Sequence, residues 1–449
     1  MPSMFFVYIC INKYIQKLIN MDSQAKALND IILKNNPNIM DMLSERGKNI
    51  FFPKLGILSQ SAQAKDKNIN ATIGIAVEDN GNAMHLPEFD QYVNLPVGKV
   101  FPYAPSPGNP ALRDEWKKMI FKKNPSLGNT VISNPIATNG LTHGLSMAGY
   151  MFVDTNDSVL LSDLYWENYD LIFENAYGAK PETFNLFSNG GFDVESLGEK
   201  LNDNKHNKII LLLNFPNNPS GYTPTTSEID PIVKQIEKAA LKGKKIVVVI
   251  DDAYFGLVYE DNVYQESIFV KLASLHENIL AVKLDGATKE DYVWGFRTGF
   301  ITFAVKNGTQ ELYQALESKL GGAIRGNISN ISQLSQSLLL SVYTSNSYET
   351  SKKQKYDIMK SRYIKLKKTL NNSKYNAFFE VLPFNSGYFM CVKINAKLNA
   401  EEIRKHLLEK YSTGVIVFGN VIRLAFSATP ESKIETLVEN LYNACNDLS

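Results

Sequence analysis

Apolar residues follow two rhythms along this chain. Residues 209–213 (IILLL), 246–250 (IVVVI) and 279–282 (ILAV) are unbroken apolar runs. Their length and uniformity suit strands buried on both faces. Between the first two runs the period lengthens. Ile229, Ile232, Val233 and Ile236 fall on one helical face, with Thr225 and Glu228 spaced as a capping box ahead of them. Strand, helix and strand in that order predict a mostly parallel sheet with right-handed crossovers. Another helix is expected from Asn109, with Pro110 in its first turn and Leu112, Trp116, Met119 and Ile120 turned inward.

The last third changes character. Residues 349–371 read as one long helix carrying Lys352, Lys353, Lys355, Lys360, Lys365, Lys367 and Lys368. A solvated face explains such a run better than an anion site. Short strands at 388–394, 415–418 and 421–426, a helix near 401–410 and a final helix predict a smaller α+β lobe. The expected division is a large domain over 96–335 and a small domain over 336–449, with 21–95 packing against the latter. Residues 1–20 read as a leader or a mis-assigned start, translation beginning at Met21. Their apolar stretch, 4–11, is too short to span a membrane.

Composition narrows the function. The chain has 449 residues, 44% of them hydrophobic and 21% charged, which is enough apolar material for a large core. Its 47 basic and 46 acidic residues leave a net charge of +1. That balance speaks against nucleic-acid or membrane-surface binding. Cys10, Cys391 and Cys445 form no disulfide framework, and neither they nor the five scattered histidines have metal-ligand spacing. A reducing, cytoplasmic setting and no metal site are expected.

Four segments carry candidate chemistry. The loop 214–221 (NFPNNPSG) follows an apolar run; it is turn chemistry where parallel strands bind ligands. Asp251, in DDAY, stands where the next run ends. A partly desolvated carboxylate there wants a cation, unless it merely caps a helix or faces solvent. Lys289, in ATKEDYVWGFRTG, is a nucleophilic amine if its pKa is lowered and a surface lysine otherwise. Arg423 interrupts an apolar strand, which suits a bound carboxylate or a structural ion pair. The spacings are 33 from Asn218 to Asp251, 38 to Lys289 and 8 to Arg297.

In this order and spacing the sequence resembles the class I/II aminotransferases, the fold-type I enzymes that use pyridoxal 5′-phosphate, from about residue 69 onward. The resemblance implies an α/β fold: a large domain with a mostly parallel seven-stranded sheet, plus a smaller α+β domain. It implies Lys289 as the Schiff-base lysine and Asp251 as the partner of the pyridine nitrogen. Asn218, with Asn217 as the neighbouring alternative, and Tyr254 match the residues that hydrogen-bond the phenolic oxygen. Arg297 matches the phosphate arginine, and Asn139, Gly140 and Leu141 the loop whose amides cap the phosphate. Trp166 resembles the aromatic that stacks on the ring, Tyr103 a tyrosine that reaches the other subunit's phosphate. Arg423 and Gly74 resemble the groups that hold the substrate α-carboxylate. Arg325 resembles the arginine that aspartate aminotransferases offer a distal carboxylate across a homodimer. The implied reaction is transamination from an L-amino acid, aspartate or aromatic, to a 2-oxo acid such as 2-oxoglutarate. A carbon–sulfur β-lyase sharing the same cofactor residues is the alternative. One position departs from the family: a hydroxyl residue is usual three places before the lysine, and here it is Gly286. Thr288 is the expected compensation.

Overall fold

The computed structural model describes residues 21–35, 37–51 and 56–449. The expected leader, 1–20, lies outside the described residues, as does Cys10. The central sheet has seven strands: β1 (Ile136–Thr138), β2 (Ser158–Ser162), β3 (Lys180–Phe184), β4 (Lys208–Asn214), β5 (Lys245–Asp251), β6 (Ile279–Asp285) and β7 (Gly299–Ala304). Their order is β1-β7-β6-β5-β4-β2-β3, with only β7 antiparallel to its neighbours. The expected parallel architecture is thus present.

The apolar runs are unbroken because each strand serves two cores. Ile209, Leu211 and Leu213 join one hydrophobic cluster, while Ile210 and Leu212 join another on the opposite face. The helices that position the site are α1 (Ile57–Gln63), α2 (Pro110–Lys123), α3 (Gly140–Phe152), α4 (Thr226–Leu241), α5 (Gln310–Asn327), α6 (Gln333–Tyr343) and α7 (Tyr348–Leu370). Leu112, Trp116, Met119 and Ile120 of α2 and Ile229, Ile232 and Ile236 of α4 fill the first cluster. The predicted cap of α4 is present, the Glu228 carboxylate accepting the Thr225 amide at 2.7 Å.

The C-terminal lobe holds a second, antiparallel sheet: β8 (Phe379–Val381), β9 (Phe389–Ile394), β10 (Ile416–Phe418) and β11 (Val421–Ala425), in the order β8-β9-β11-β10. An N-terminal stretch lies along it. Ile69 and Asn70 pair in parallel with Thr413 and Gly414, and the Ala71 carbonyl accepts the Ala425 amide. This carries Thr72, Ile73 and Gly74 to the junction of the two lobes. Gly221 makes the junction close: a Cβ there would fall 1.8 Å from the Phe389 carbonyl oxygen, and its φ is +72°.

Some lysines of α7 lie at the surface, as in the Lys353–Asp357 pair, while Lys355, 16% exposed, is largely buried against Glu78. Lys352 departs from the expected solvated face. Its side chain is only 19% exposed and meets buried acids of the large lobe, because its counter-charges come from a distant segment.

A second buried charge cluster supports the sheet. Lys283 on β6 is fully buried between Asp252 and Asp285, the latter at 3.2 Å. Ser267 donates to Asp252 at 2.6 Å and the Trp116 indole to Asp285 at 2.9 Å. Lys283→Met would leave two buried carboxylates without their cation. The expected loss is about 3–5 kcal/mol, read as a fall in the urea midpoint; an unchanged midpoint would contradict this account.

Candidate active site

The carboxyl ends of β4, β5 and β6 open into a cavity of about 360 Å³ between the lobes. Asn214 and Asp251 stand in register at the ends of β4 and β5. Lys289 sits on the one-turn helix Ala287–Glu290 directly after β6. Parallel strands place ligands at this edge because their loops converge there.

One end of the cavity is built for an anion. Helix α3 starts at Gly140, and no side chain caps its amides. Arg297 lies against that turn: a Cβ on Gly140 would fall 2.6 Å from its guanidinium, and Gly140 has φ +74°. Leu141, Thr142, Thr288 and Arg297 all line the cavity, and the buried Thr288 hydroxyl has no partner. Asn139 is a correction to the expected loop. It is exposed, and its amide is already committed to His143 Nδ1 at 3.0 Å, so the amides from Gly140 onward are the free ones. Burial pushes the His143 imidazole pKa down, consistent with a neutral ring accepting that bond. Gly286 has a steric cause. A Cβ there would lie 2.7 Å from both the Gly299 Cα and the Thr298 carbonyl, so the position excludes the family's hydroxyl side chain.

The middle of the cavity pairs a carboxylate with an amine. Asp251 accepts the Tyr169 hydroxyl at 2.6 Å and the Ala253 amide at 3.1 Å. Burial raises its pKa, against the Tyr169 bond and the Lys289 charge, and a cation seated on it would bring it back down. Burial lowers the Lys289 pKa to about 8; Asp251 opposes this and Arg297 adds to it. The Lys289 amine lies 5.4 Å from the centre of the Tyr254 ring. Trp166 lines the cavity in an edge-on contact with Tyr169, their rings 5.6 Å apart.

The third part surrounds Arg423. Its guanidinium donates to the Asn218 side chain and to the Thr72 carbonyl, both at 3.0 Å. It stands 4.1 Å over the Phe389 ring. Among the described residues no carboxylate pairs with it, and its buried Nε has no partner. Burial pulls its pKa down, and an open guanidinium edge of this kind fits a carboxylate. Gly74 and Phe389 line the same end.

The two neighbouring asparagines differ in their bonds. Asn217 spends its side chain on the Leu164 carbonyl and on Ser220, while Asn218 faces the cavity. Tyr103, 91% exposed, and the exposed Arg325 on α5 are not brought to the cavity of this chain. Sequence reasoning missed Tyr169, Thr142, Thr72, Ile57 and Ser61, all of which line it. Tyr169 carried a local signal, three residues beyond Trp166. Ile57 and Ser61 carried none, since α1 precedes the stretch in which the resemblance was read.

An anion cradle, a buried carboxylate, a desolvated amine and flat aromatic walls fit an elongated heteroaromatic cofactor with a phosphate at one end. Comparison with known proteins agrees. A family model described as aminotransferase class I and II matches residues 93–441. An aspartate aminotransferase of Pyrococcus horikoshii is 25% identical over 352 residues, 75% of this chain and 81% of that protein. A probable N-acetyl-LL-diaminopimelate aminotransferase of Bacillus subtilis is 24% identical over 243 residues, 54% of this chain; the match spans 55% of that relative's length. Among solved structures, an aminotransferase of Anaerococcus prevotii superposes with TM-score 0.80 at 26% identity, covering 90% of this chain and 99% of that one. The cytoplasmic aspartate aminotransferase of Saccharomyces cerevisiae superposes with TM-score 0.73 at 19% identity, covering 89% and 98%.

Proposed function

This chain belongs to the class I and II aminotransferases, a family dependent on pyridoxal 5′-phosphate, and from that premise we propose that it moves an amino group from an L-amino acid to a 2-oxo acid. The observation that carries the reading is the Asp251–Lys289 pair beside an uncapped helix end and an unpaired buried arginine. In this reading Gly140, Leu141, Thr288 and Arg297 hold the cofactor phosphate, Asp251 its ring nitrogen, and Asn218 and Tyr254 its phenolic oxygen. Trp166 packs on the ring. Bound there, the cofactor supplies an electron sink for the carbanion left when the substrate α-proton departs.

The remaining work falls to the chain. Arg423 turns its open edge to the substrate α-carboxylate, with the Gly74 backbone beside it. Lys289 takes the α-proton at Nζ and returns it one atom along, which requires the neutral amine. Phe389 and Trp166 exclude water around the reacting carbon. The exposure of Tyr103 and Arg325 supports a homodimer in which each copy lends these residues to the other's cavity.

The donor we favour is aspartate or an aromatic amino acid, with 2-oxoglutarate as acceptor. Arg325 supports it, as does the likeness to the aspartate aminotransferase of Pyrococcus horikoshii. A donor panel with 2-oxoglutarate tests the reading. Arg423→Ala is expected to raise KM for every donor about tenfold to a hundredfold, the loss of a bidentate charged contact. Arg325→Ala is expected to act on dicarboxylates alone. No turnover of aspartate, or an Arg325→Ala enzyme with unchanged dicarboxylate kinetics, retires the aspartate assignment. Pyruvate and ammonia released from a sulfur amino acid without an acceptor would identify a lyase instead.

A further inference from the structure

Two acids follow Lys289 directly, and the reaction as drawn uses neither. Glu290 and Asp291 are 6% and 0% exposed. Glu290 is held from both lobes: Lys123 of α2 meets one oxygen at 2.9 Å, Lys352 of α7 the other at 2.7 Å. Lys352 also lies 3.2 Å from Asp291. Asp291 accepts the hydroxyls of Tyr343 on α6 and Tyr348 on α7, at 2.8 and 2.7 Å. The Lys289 carbonyl itself accepts the Tyr388 hydroxyl at 2.8 Å.

The cluster is neutral, with two ammonium groups on two carboxylates, so it offers no net charge to a ligand. As a source of stability it is a poor choice, since apolar side chains of similar volume serve as well or better. What it does provide is fixed geometry. Tyr292, next along the chain, has φ +58°, a left-handed conformation that a non-glycine residue holds only where its surroundings over-determine it. Gly256 makes room for the clamp, because a Cβ there would fall 2.5 Å from Glu290 Oε1.

We propose that Lys352, acting through Glu290 and Asp291, is a positioning residue that fixes where the Lys289 amine stands and ties that position to the placement of the two lobes. This rests on the reading of Lys289 as the amine that captures the cofactor. Asp251 on β5, Tyr254 beyond it and Arg297 after the lysine segment face that amine and are untouched by changes at Lys352. Lys352→Met leaves the cluster one negative charge in excess and frees the lysine segment to take up water. Both effects favour the ammonium form of Lys289.

The test is capture of pyridoxal phosphate by the apoprotein, followed by absorbance across pH, with thermal melting alongside. In Lys352→Met the midpoint is expected to rise by about one unit, so that capture near pH 7 slows about tenfold. Tyr348→Phe alters no charge yet loosens Asp291 and Lys352; a smaller rise there isolates position from electrostatics. Lys352→Arg should restore the wild-type midpoint, and Lys353→Met, at the surface, should never leave it. A lowered melting temperature with a wild-type midpoint in both Lys352→Met and Tyr348→Phe means a merely structural cluster and overturns the proposal. If Lys352→Met does not fold, the Tyr348→Phe midpoint decides alone. Lys289→Ala separates the two readings: undiminished capture in that variant refutes the role of Lys289, whereas lost capture there with unshifted midpoints in the others refutes only the positioning.

Discussion

Lys289→Ala is expected to lower turnover by at least about 10²–10⁴-fold, the range for removing a positioned acid–base group, with little effect on the fold. The residue stands on a one-turn helix, and its side chain makes no ion pair among the described residues, so truncation removes chemistry rather than scaffold. Borohydride treatment of the wild-type holoprotein should fix the cofactor's mass to the peptide containing Lys289 and to no other. The pH dependence follows from the same environment. Burial brings the amine down to about 8, with Arg297 assisting against Asp251. The neutral form is the nucleophile, so capture of pyridoxal phosphate by the apoprotein should quicken as pH rises towards 8 and level off above it. Labelling of a different lysine, or an alanine variant that turns over normally, would remove the central assignment.

The contrast between Lys289 and Lys352 shows what a sequence can and cannot reveal about charge. Lys289 was legible because its neighbours in the motif, Asp251 and Arg297, are fixed by spacing along consecutive strands and loops. Lys352 was read as one more solvated lysine, because its partners Glu290 and Asp291 lie on another lobe and only packing brings them together. The strands were legible for a similar reason: two-sided burial imposes an unbroken apolar run on each strand by itself. Gly286 marks the opposite limit. Along the chain it reads as a lost hydroxyl, whereas in space it is the one residue that lets the lysine segment pass β7. Tyr169 sits between these cases, since its spacing from Trp166 was visible but its bond to Asp251 was not.

Asp251→Asn should separate function from stability within one side chain. The amide keeps the shape of the carboxylate, and the Tyr169 hydroxyl can turn from donor to acceptor to satisfy it. What disappears is the charge that would hold a ring nitrogen protonated. Turnover is expected to fall about 10²–10³-fold, the scale of losing one preorganised electrostatic contact, with substrate KM little changed because Arg423 is untouched. The apoprotein should move the other way. Burial raises the Asp251 pKa above its unfolded value, so the folded state holds that proton more tightly and the ionised carboxylate opposes folding. That penalty is absent in acid below the unfolded pKa and grows as pH rises through the interval up to the folded pKa. Asparagine never ionises. The variant should therefore be more stable than wild type at neutral pH and lose that advantage as pH falls towards 4. Added pyridoxal phosphate should narrow the neutral-pH gap, since a cation on Asp251 relieves the penalty only in the wild type. Melting curves at two pH values, with and without the cofactor, read all of this. An Asp251→Asn apoprotein less stable than wild type at pH 7, or one with wild-type turnover, would show that this carboxylate is a structural group instead of the electrostatic floor of the site.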